Sequence, residues 1–546
     1  MDRKEDFKSG LGSTKDVTKR HVEKQHGIRK KKRENKLGRF RHVDAGQGGS
    51  AFEIALKEYN PRALYGQKDV FALDALEKCM RAANDEQMNK YFTYLLAYSD
   101  KRGSPIIPIL VQLLGQENGT LGMKAMSCLV NVTGANLEPQ YQPLLAQLII
   151  EAQFLDAVTA HIIEDTVIAK ECWYVIANLI SLCETSRDVV LSCVLFKNVY
   201  NDETWRSPFL GEMQRGRPEY DVLIFTVVCG AFETGMVSLP DPAFCFATLL
   251  YVIKYLVMHW HTGKRESTAE PDRVLALGLS ALAHFAEKCS SQNLEHVTLF
   301  ARLFGQAEEK IQGFSFLVNL ATRVNTANQR RLARIFVKAG KFNDSALAMQ
   351  TLMYKAGCLD LMIRFVEEAD PRLQREGLMW LGNYASDSLQ FAIQIKERDG
   401  FKVVSQRLRR APTHDLRNGA VYCLMQACNI CSNALPQERA EQTLVHLVYH
   451  CNIIQITCQH LGDLGDPQLT IDILELWLTL LRKWNTSSIS LIIEEHGGQD
   501  KVEQLLGVTG PEGMRIFKLA EQVLDILSSG PMDFEITNKG HNKFHF

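Results

Sequence analysis

The chain has 546 residues, a formal net charge of −1 and 23% charged residues, a length that suits several globular domains or one extended repeat array. Its hydrophobic content of 46% is ordinary for a core-forming protein. The 14 cysteines lack framework spacing, and Cys128, Cys172, Cys229 and Cys423 lie in apolar helical stretches, which argues against a disulfide scaffold and for a reducing compartment.

The near-neutral total hides an asymmetry. From Lys15 to Arg41 there are 12 Lys/Arg against three Asp/Glu, a local +9 that leaves −10 on the body after Arg41, since residues 1–14 balance. These first forty residues are charged rather than apolar, so they do not read as a secretory signal. A basic arm on an acidic body is expected to find an acidic partner or the body itself. Within Lys19 to Val43, Gly27 and Gly38 each weaken a helix by about 1 kcal/mol. Val22, Ile28 and Leu37 are too few to make a core-facing stripe, so the arm is expected to fold only on a partner that supplies acid. A solvated charge run or simple localisation tag is a second reading. Nucleic-acid binding by counterion release is a third; the acidic body and the lack of an aromatic platform count against it.

Residues 44–71 read as a linker and entry segment. Gly46 to Ala51 matches a dinucleotide-binding G-x-G-x-x-A in letters alone, because it follows a basic arm rather than a strand. From residue 72 to 530 apolar residues recur at helical spacing between short breaks of Gly, Asp, Asn or Pro. Ile106 to Leu114 is one such helix, and the next closes on Cys128-Leu129-Val130-Asn131. Asn131 and Asn178 lie 47 residues apart and Asn383 and Asn429 lie 46 apart, within the period of HEAT and armadillo arrays. About ten repeats fit the segment. The 64 residues from Asn319 (in GFSFLVNLA) to Asn383 read as stretched or poorly conforming repeats. Phe244 to Met258 is apolar but too short to span a bilayer and contains Lys254, so it reads as a buried helix. Cys428 and Cys431 form a lone C-x-x-C without a second pair or nearby His, so no metal is expected. Residues 531–546 form a C-terminal tail.

The order of residues in the arm resembles the importin-β-binding segment of the importin-α family. Arg20 and Glu23 are followed by Ile28-Arg29-Lys30-Lys31-Lys32-Arg33-Glu34-Asn35-Lys36-Leu37, and Arg39-Phe40-Arg41 stands where the family has a basic cluster. The register runs from Arg20 to Arg41 without a gap, with Phe40 in place of a basic residue. Asp370-Pro371 through Asn383-Tyr384 is similar to a late importin-α repeat, and Ile493-Glu494-Glu495-His496-Gly497-Gly498-Gln499-Asp500-Lys501-Val502-Glu503 is similar to the family's last one. The resemblance implies an all-α fold, a right-handed armadillo-repeat superhelical solenoid with a basic N-terminal arm.

It also implies an import adaptor moving between cytoplasm and nucleus. Importin-β would bind Arg20, Arg29, Lys30, Lys31, Lys32, Arg33, Arg39 and Arg41; an export receptor would bind the repeat holding Glu494 and Glu495. Cargo proteins with basic localisation signals would bind through W-x-x-x-N pairs on third helices, where Asn grips the peptide backbone and stacked indoles hold lysine stems. Asn131, Asn178, Asn319 and Asn383 fit the Asn column. Four residues earlier stand Ser127, Tyr174, Ser315 and Met379 rather than Trp, so Tyr174 and Met379 are the candidate partners. Trp173 and Trp380 are one position off, about 100° around the helix, which turns them into the core. Tyr251 with Tyr255 echoes a W-x-x-x-Y variant, and Trp205, Trp260, Trp477 and Trp484 have no matching Asn. Each Asn also reads as a residue satisfying neighbouring backbone, and Tyr174 and Met379 as inter-repeat packing. With the Trp column lost, a scaffold for one dedicated partner, using the arm for its own import, is the alternative. No P-loop lysine, H-E-x-x-H or nucleophile elbow is present, and neither an enzyme, a cofactor nor a membrane partner is expected.

Overall fold

The structure, a computed structural model, describes residues 49–95, 106–193, 218–232, 248–257, 269–289, 313–340 and 346–529, with short interruptions inside these ranges, together with Thr298 and Phe304. The described residues are helical and contain no strand. The chain divides into two compact units, Met1–Lys288 and Cys289–Phe546.

In the first unit α1 (Gly49–Glu58) and α2 (Val70–Ala82) precede two complete three-helix repeats. These are α3 (Asp85–Leu95), α4 (Ile106–Leu114) and α5 (Gly119–Thr133), then α6 (Tyr141–Glu151), α7 (Phe154–Ile163) and α8 (Ala169–Leu182). They are followed by α9 (Glu184–Ser192), α10 (Pro218–Ala231) and α11 (Ala269–Lys288). The helices α2, α5, α8, α10 and α11 pack side by side in that order. Part of the apolar run singled out above is described, and its Leu249, Val252, Ile253 and Leu256 are buried. Among the described residues no single helix is long and apolar enough to cross a membrane.

The second unit opens with α12 (Gly313–Ala321) and α13 (Thr326–Ala339). Four three-helix repeats follow. They are α14 (Ala346–Lys355), α15 (Cys358–Glu367) and α16 (Pro371–Asp387); then α17 (Leu389–Glu397), α18 (Gly400–Arg410) and α19 (His414–Asn433). Next come α20 (Glu438–Val445, running into a π turn to His450), α21 (Ile453–His460) and α22 (Pro467–Lys483), and last α23 (Thr486–Glu495), α24 (Gly498–Leu505) and α25 (Gly513–Ser528). In every repeat the third helix is the longest. The third helices α13, α16, α19, α22 and α25 lie against one another in sequence. Two short helices and a long third one, repeated at this period, make an all-α armadillo-repeat solenoid.

Three local devices recur. The turn from first to second helix is made by one residue in the left-handed region, Gln153, Gly357, Asp399, Asn452 or Gly497, with φ between 54° and 87°; two of the five are Gly, which adopts it without strain, and Asn and Asp tolerate it better than most. Third helices start on a side-chain cap: Asn325, Asp370 and Asp466 accept from the backbone N–H three residues on, at 2.9–3.1 Å, and Pro371 and Pro467 occupy the first helical turn, where no N–H is needed. The last carbonyls of four second helices, α4, α15, α18 and α21, orphaned by geometry, meet a basic side chain from the next repeat. His161 lies 3.0 Å from Leu114 O, Arg407 donates to Glu367 O at 3.2 Å, His460 lies 3.1 Å from Leu408 O and Lys501 donates to Cys458 O at 2.6 Å. These contacts set the register of one repeat on its neighbour.

Candidate functional site

The arm residues Arg20, Arg29, Lys30, Lys31, Lys32, Arg33, Arg39 and Arg41 lie outside the described residues. The remaining candidates stand on the two units and are taken unit by unit.

In the first unit the solvent-side row of α5 is Met123, Ser127 and Asn131, and that of α8 is Lys170, Tyr174 and Asn178, each spaced by four residues along one helical face. Met123 is exposed and Ser127, Lys170 and Tyr174 are half-buried, but Asn131 and Asn178 are fully buried. Asn131 Nδ2 donates to Ser127 O at 3.0 Å. Asn178 Nδ2 donates across to Thr133 Oγ1 at 3.0 Å, and Thr133 in turn donates to Leu129 O at 2.7 Å. The Asn178 amide thus ties α8 to α5, while the Asn131 bond stays within α5. Another cross-helix tie joins α5 to α2, where Lys124 pairs with Asp74 and with Glu77 at 3.4 Å, and its ammonium holds the Asp74 carboxyl below the usual carboxylate range.

In the second unit, counting from the residue before each third helix (Asn325, Asp370, Thr413, Asp466) makes positions comparable. Nine residues on stand Arg334, Met379, Tyr422 and Glu475; thirteen on stand Lys338, Asn383, Gln426 and Thr479. These are the two places of a W-x-x-x-N pair. Trp380 falls one residue past the row and, in the first unit, Trp173 one residue before it; both are fully buried. Asn319 stands outside the row, on the short helix α12, and is exposed; the third helix of that repeat is α13, and its row is Arg334 with Lys338. The 64-residue gap therefore closes, for Lys338 precedes Asn383 by 45 residues. Gln426, not Asn429, is the counterpart of Asn383, and Asn429 sits near one turn further along.

Chemically the row runs from cationic to acidic. The stripe of α13 presents Arg330, Arg331, Arg334 and Lys338 with no acid, all within about 100° of helix surface. α16 presents Arg372, Arg375, Glu376, Met379 and Asn383; α19 presents Asp415, Asn418, Tyr422 and Gln426; α22 presents Asp472, Glu475 and Thr479. Rungs join the helices. Arg330 pairs with Asp370, holding that carboxyl below its usual range. Tyr422 OH donates to Asn383 Oδ1 at 3.0 Å, Thr479 Oγ1 lies 2.9 Å from Asn429 Oδ1, and Lys483 donates to Asn433 Oδ1 at 2.7 Å. Asn383 is 8% exposed and its Nδ2, turned away from Tyr422 by that bond, has no partner. Glu494 and Glu495 are exposed at the C-terminal end of α23, where the helix carbonyls already place negative charge. Cys428 and Cys431 are buried thiols, and among the described residues no group of His, Cys, Asp and Glu could hold a metal ion.

No family model matches the chain and no curated protein matches it. Among solved structures it is similar to an engineered protein in a crystal structure, with a TM-score of 0.62 and 17% identity over 88% of this chain and 99% of that one. A designed armadillo repeat protein aligns with a TM-score of 0.39 and 13% identity over 51% of this chain and 99% of its own. Another, solved with the peptide (KR)4, gives 0.39 and 13% over 50% and 98%. At such identities the first likeness speaks for the fold.

Proposed function

We propose that the chain is an importin-α-like nuclear import adaptor, its arm binding importin-β and its third-helix rows binding extended peptide segments of cargo. The observation that carries this reading is the gapless register of the arm from Arg20 to Arg41 ahead of an armadillo array. The rows support it: half-buried side chains spaced at two fixed positions per repeat are the arrangement that extended peptides use, backbone gripped by amides and side chains held between neighbouring helices. The exposed Glu494 and Glu495, carboxylates at a helix C-terminus, suit a cationic surface on an export receptor. Cargo is expected to be a restricted set, because the indole slots are filled by Arg334, Met379, Tyr422 and Glu475.

One observation favours the second reading, a scaffold for a dedicated partner. Asn131 and Asn178 are fully buried with their amides engaged inside the unit, so peptide capture there would have to break existing bonds. A pull-down separates the readings: immobilised importin-β retains the full chain, and neutralising Arg29 to Arg33 abolishes retention. A lysine-rich localisation peptide then binds a general adaptor and fails to bind a dedicated scaffold. Absence of importin-β retention, or its persistence after neutralisation, overturns both.

A further inference from the structure

α25 is the last third helix among the described residues, and its outer side is built like an inner one. In α22 the stripe Ile471, Glu475, Leu478 and Arg482 stands five, nine, twelve and sixteen residues on from Asp466 and meets α25. Glu475 pairs with Arg515 at 2.6 Å, Arg482 donates to Gln522 Oε1 at 2.7 Å, and Ile471 and Leu478 are buried. Counted in the same way from Glu512, the stripe of α25 is Phe517, Glu521, Leu524 and Ser528. Both apolar places are kept, yet among the described residues no helix follows to cover them. Phe517 is 39% exposed and Met514, one turn earlier, 70% exposed. Leu524 is half-buried, and so is Leu527, at the place of the buried Leu481. A repeat that closes an array in water turns a polar face outward; α25 does not.

Residues 530–546 lie outside the described residues, and their sequence supplies the complement. Met532-Asp533-Phe534-Glu535-Ile536-Thr537 alternates apolar with polar, the period that gives an extended segment one apolar face. Gly530 and Pro531, residue types that stop helices, precede it. We infer that Met532, Phe534 and Ile536 seat on the stripe of Met514, Phe517 and Leu524, so that the chain caps its own end of the array. The dimensions agree. Met532 to Ile536 spans about 13 Å when extended, at about 3.3 Å per residue, and Met514 to Leu524 spans about 15 Å along the helix, at about 1.5 Å per residue. The segment starts three residues after Ser529, the last described residue of α25's C-terminal end. So short a tether holds it at roughly millimolar local concentration, an advantage that neither a second copy nor a separate protein has. Asp533 and Glu535 fall on its other face, in water and away from Glu521.

The inference is independent of importin-β recognition, which reads the arm. The full chain with the photo-crosslinker benzoylphenylalanine in place of Phe534 tests it. Irradiation, digestion and mass spectrometry should join residue 534 to the peptide holding Met514, Phe517 or Leu524 within one chain. Phe517→Ser with Leu524→Ser should remove that product. In a second arm without the crosslinker, hydrogen exchange of the α25 amides should quicken about tenfold in the triple variant Met532→Ser, Phe534→Ser, Ile536→Ser. Amides of α16 and α19 should keep their rates, and importin-β capture should be unchanged. Circular dichroism checks folding; if the α25 pair does not fold, the triple variant decides, since it alters no described residue. Products between two chains assign the face to a second copy and overturn the inference. Products with another helix, no product at all, or unchanged α25 exchange in the triple variant overturn it as well.

Discussion

Trp380 and Trp477 are both fully buried on third helices, yet the same substitution should affect them differently. Trp→Phe leaves a cavity of some tens of Å³, which at about 24 cal/mol per Å³ plus lost transfer energy costs about 1–2 kcal/mol. Trp380 stacks on Tyr384 at 4.6 Å and Tyr384 on Phe391 at 4.3 Å, a stack that a phenyl ring preserves. Its indole Nε1 has no acceptor, and burying such a donor costs about 1–3 kcal/mol. Removing it offsets the cavity, so Trp380→Phe should be close to neutral. Trp477 Nε1 instead donates to Thr457 Oγ1 at 2.9 Å, so Trp477→Phe adds about 1 kcal/mol of lost hydrogen bond to the cavity, about 2–3 kcal/mol in all. Native-state hydrogen exchange reads each site locally, with about 1.4 kcal/mol for each tenfold change in opening. Amides of α16 should change within about threefold in W380F, and those of α22 should speed up about thirty- to hundredfold in W477F. Equal losses at the two sites, or a larger one at 380, would refute the hydrogen-bond reasoning.

At Gly377 a Cβ would stand 2.9 Å from Met362 O and 3.0 Å from Val366 Cγ2, so Gly377→Ala should push α15 from α16 and lower the urea midpoint by the equivalent of about 1–3 kcal/mol. Asp370, whose carboxyl is held below its unfolded value by Arg330, contributes stability above about pH 3.9 that disappears as pH falls through the folded value; Arg330→Gln should flatten this acid limb in urea midpoints measured from about pH 6 to about pH 3. Asp370→Asn, which can still cap α16, should be milder than Asp370→Ala, which loses about 1 kcal/mol of cap as well. Burial pushes the Cys79 and Cys458 thiols up to about 12, while Cys183 and Cys193 are partly exposed. Alkylation of the native chain followed by mass spectrometry should label Cys183 and Cys193 well before those two.

What could be read from the sequence follows from what the fold constrains. The Asp370-Pro371 start of α16, the turn at Gly497 and the inward placement of Trp380 are fixed by capping, backbone conformation and packing, so they leave marks in residue type. Positions nine and thirteen of each third helix face outward, and the fold tolerates Arg, Met, Tyr or Glu at one and Lys, Asn, Gln or Thr at the other. The Asn column therefore takes in Asn319 on a short helix, while the row of that repeat carries Arg334 and Lys338. The cap spacing from Asn325 to Asp370, which matches the 45 residues between Lys338 and Asn383, was the available signal. The amide orientation at Asn383 depends on Tyr422, 39 residues away, and no local pattern announces it.

The rungs between third helices also bear on how the second unit responds to load. Its main contacts join only neighbouring repeats, so tension is passed along the array in series rather than shared across one core. Between α16 and α19 the outer links are the Tyr422–Asn383 hydrogen bond and the Arg375–Asp415 pair, and between α19 and α22 they include the Thr479–Asn429 and Lys483–Asn433 hydrogen bonds. Such bonds lengthen by tenths of an ångström and re-form, whereas the apolar seams beneath them are close-packed and stiff. Residues 346–529 thus form an elastic element whose compliance lies on the row itself. Seating a peptide there stiffens the spring, and stretching the spring changes the pitch that a peptide must match.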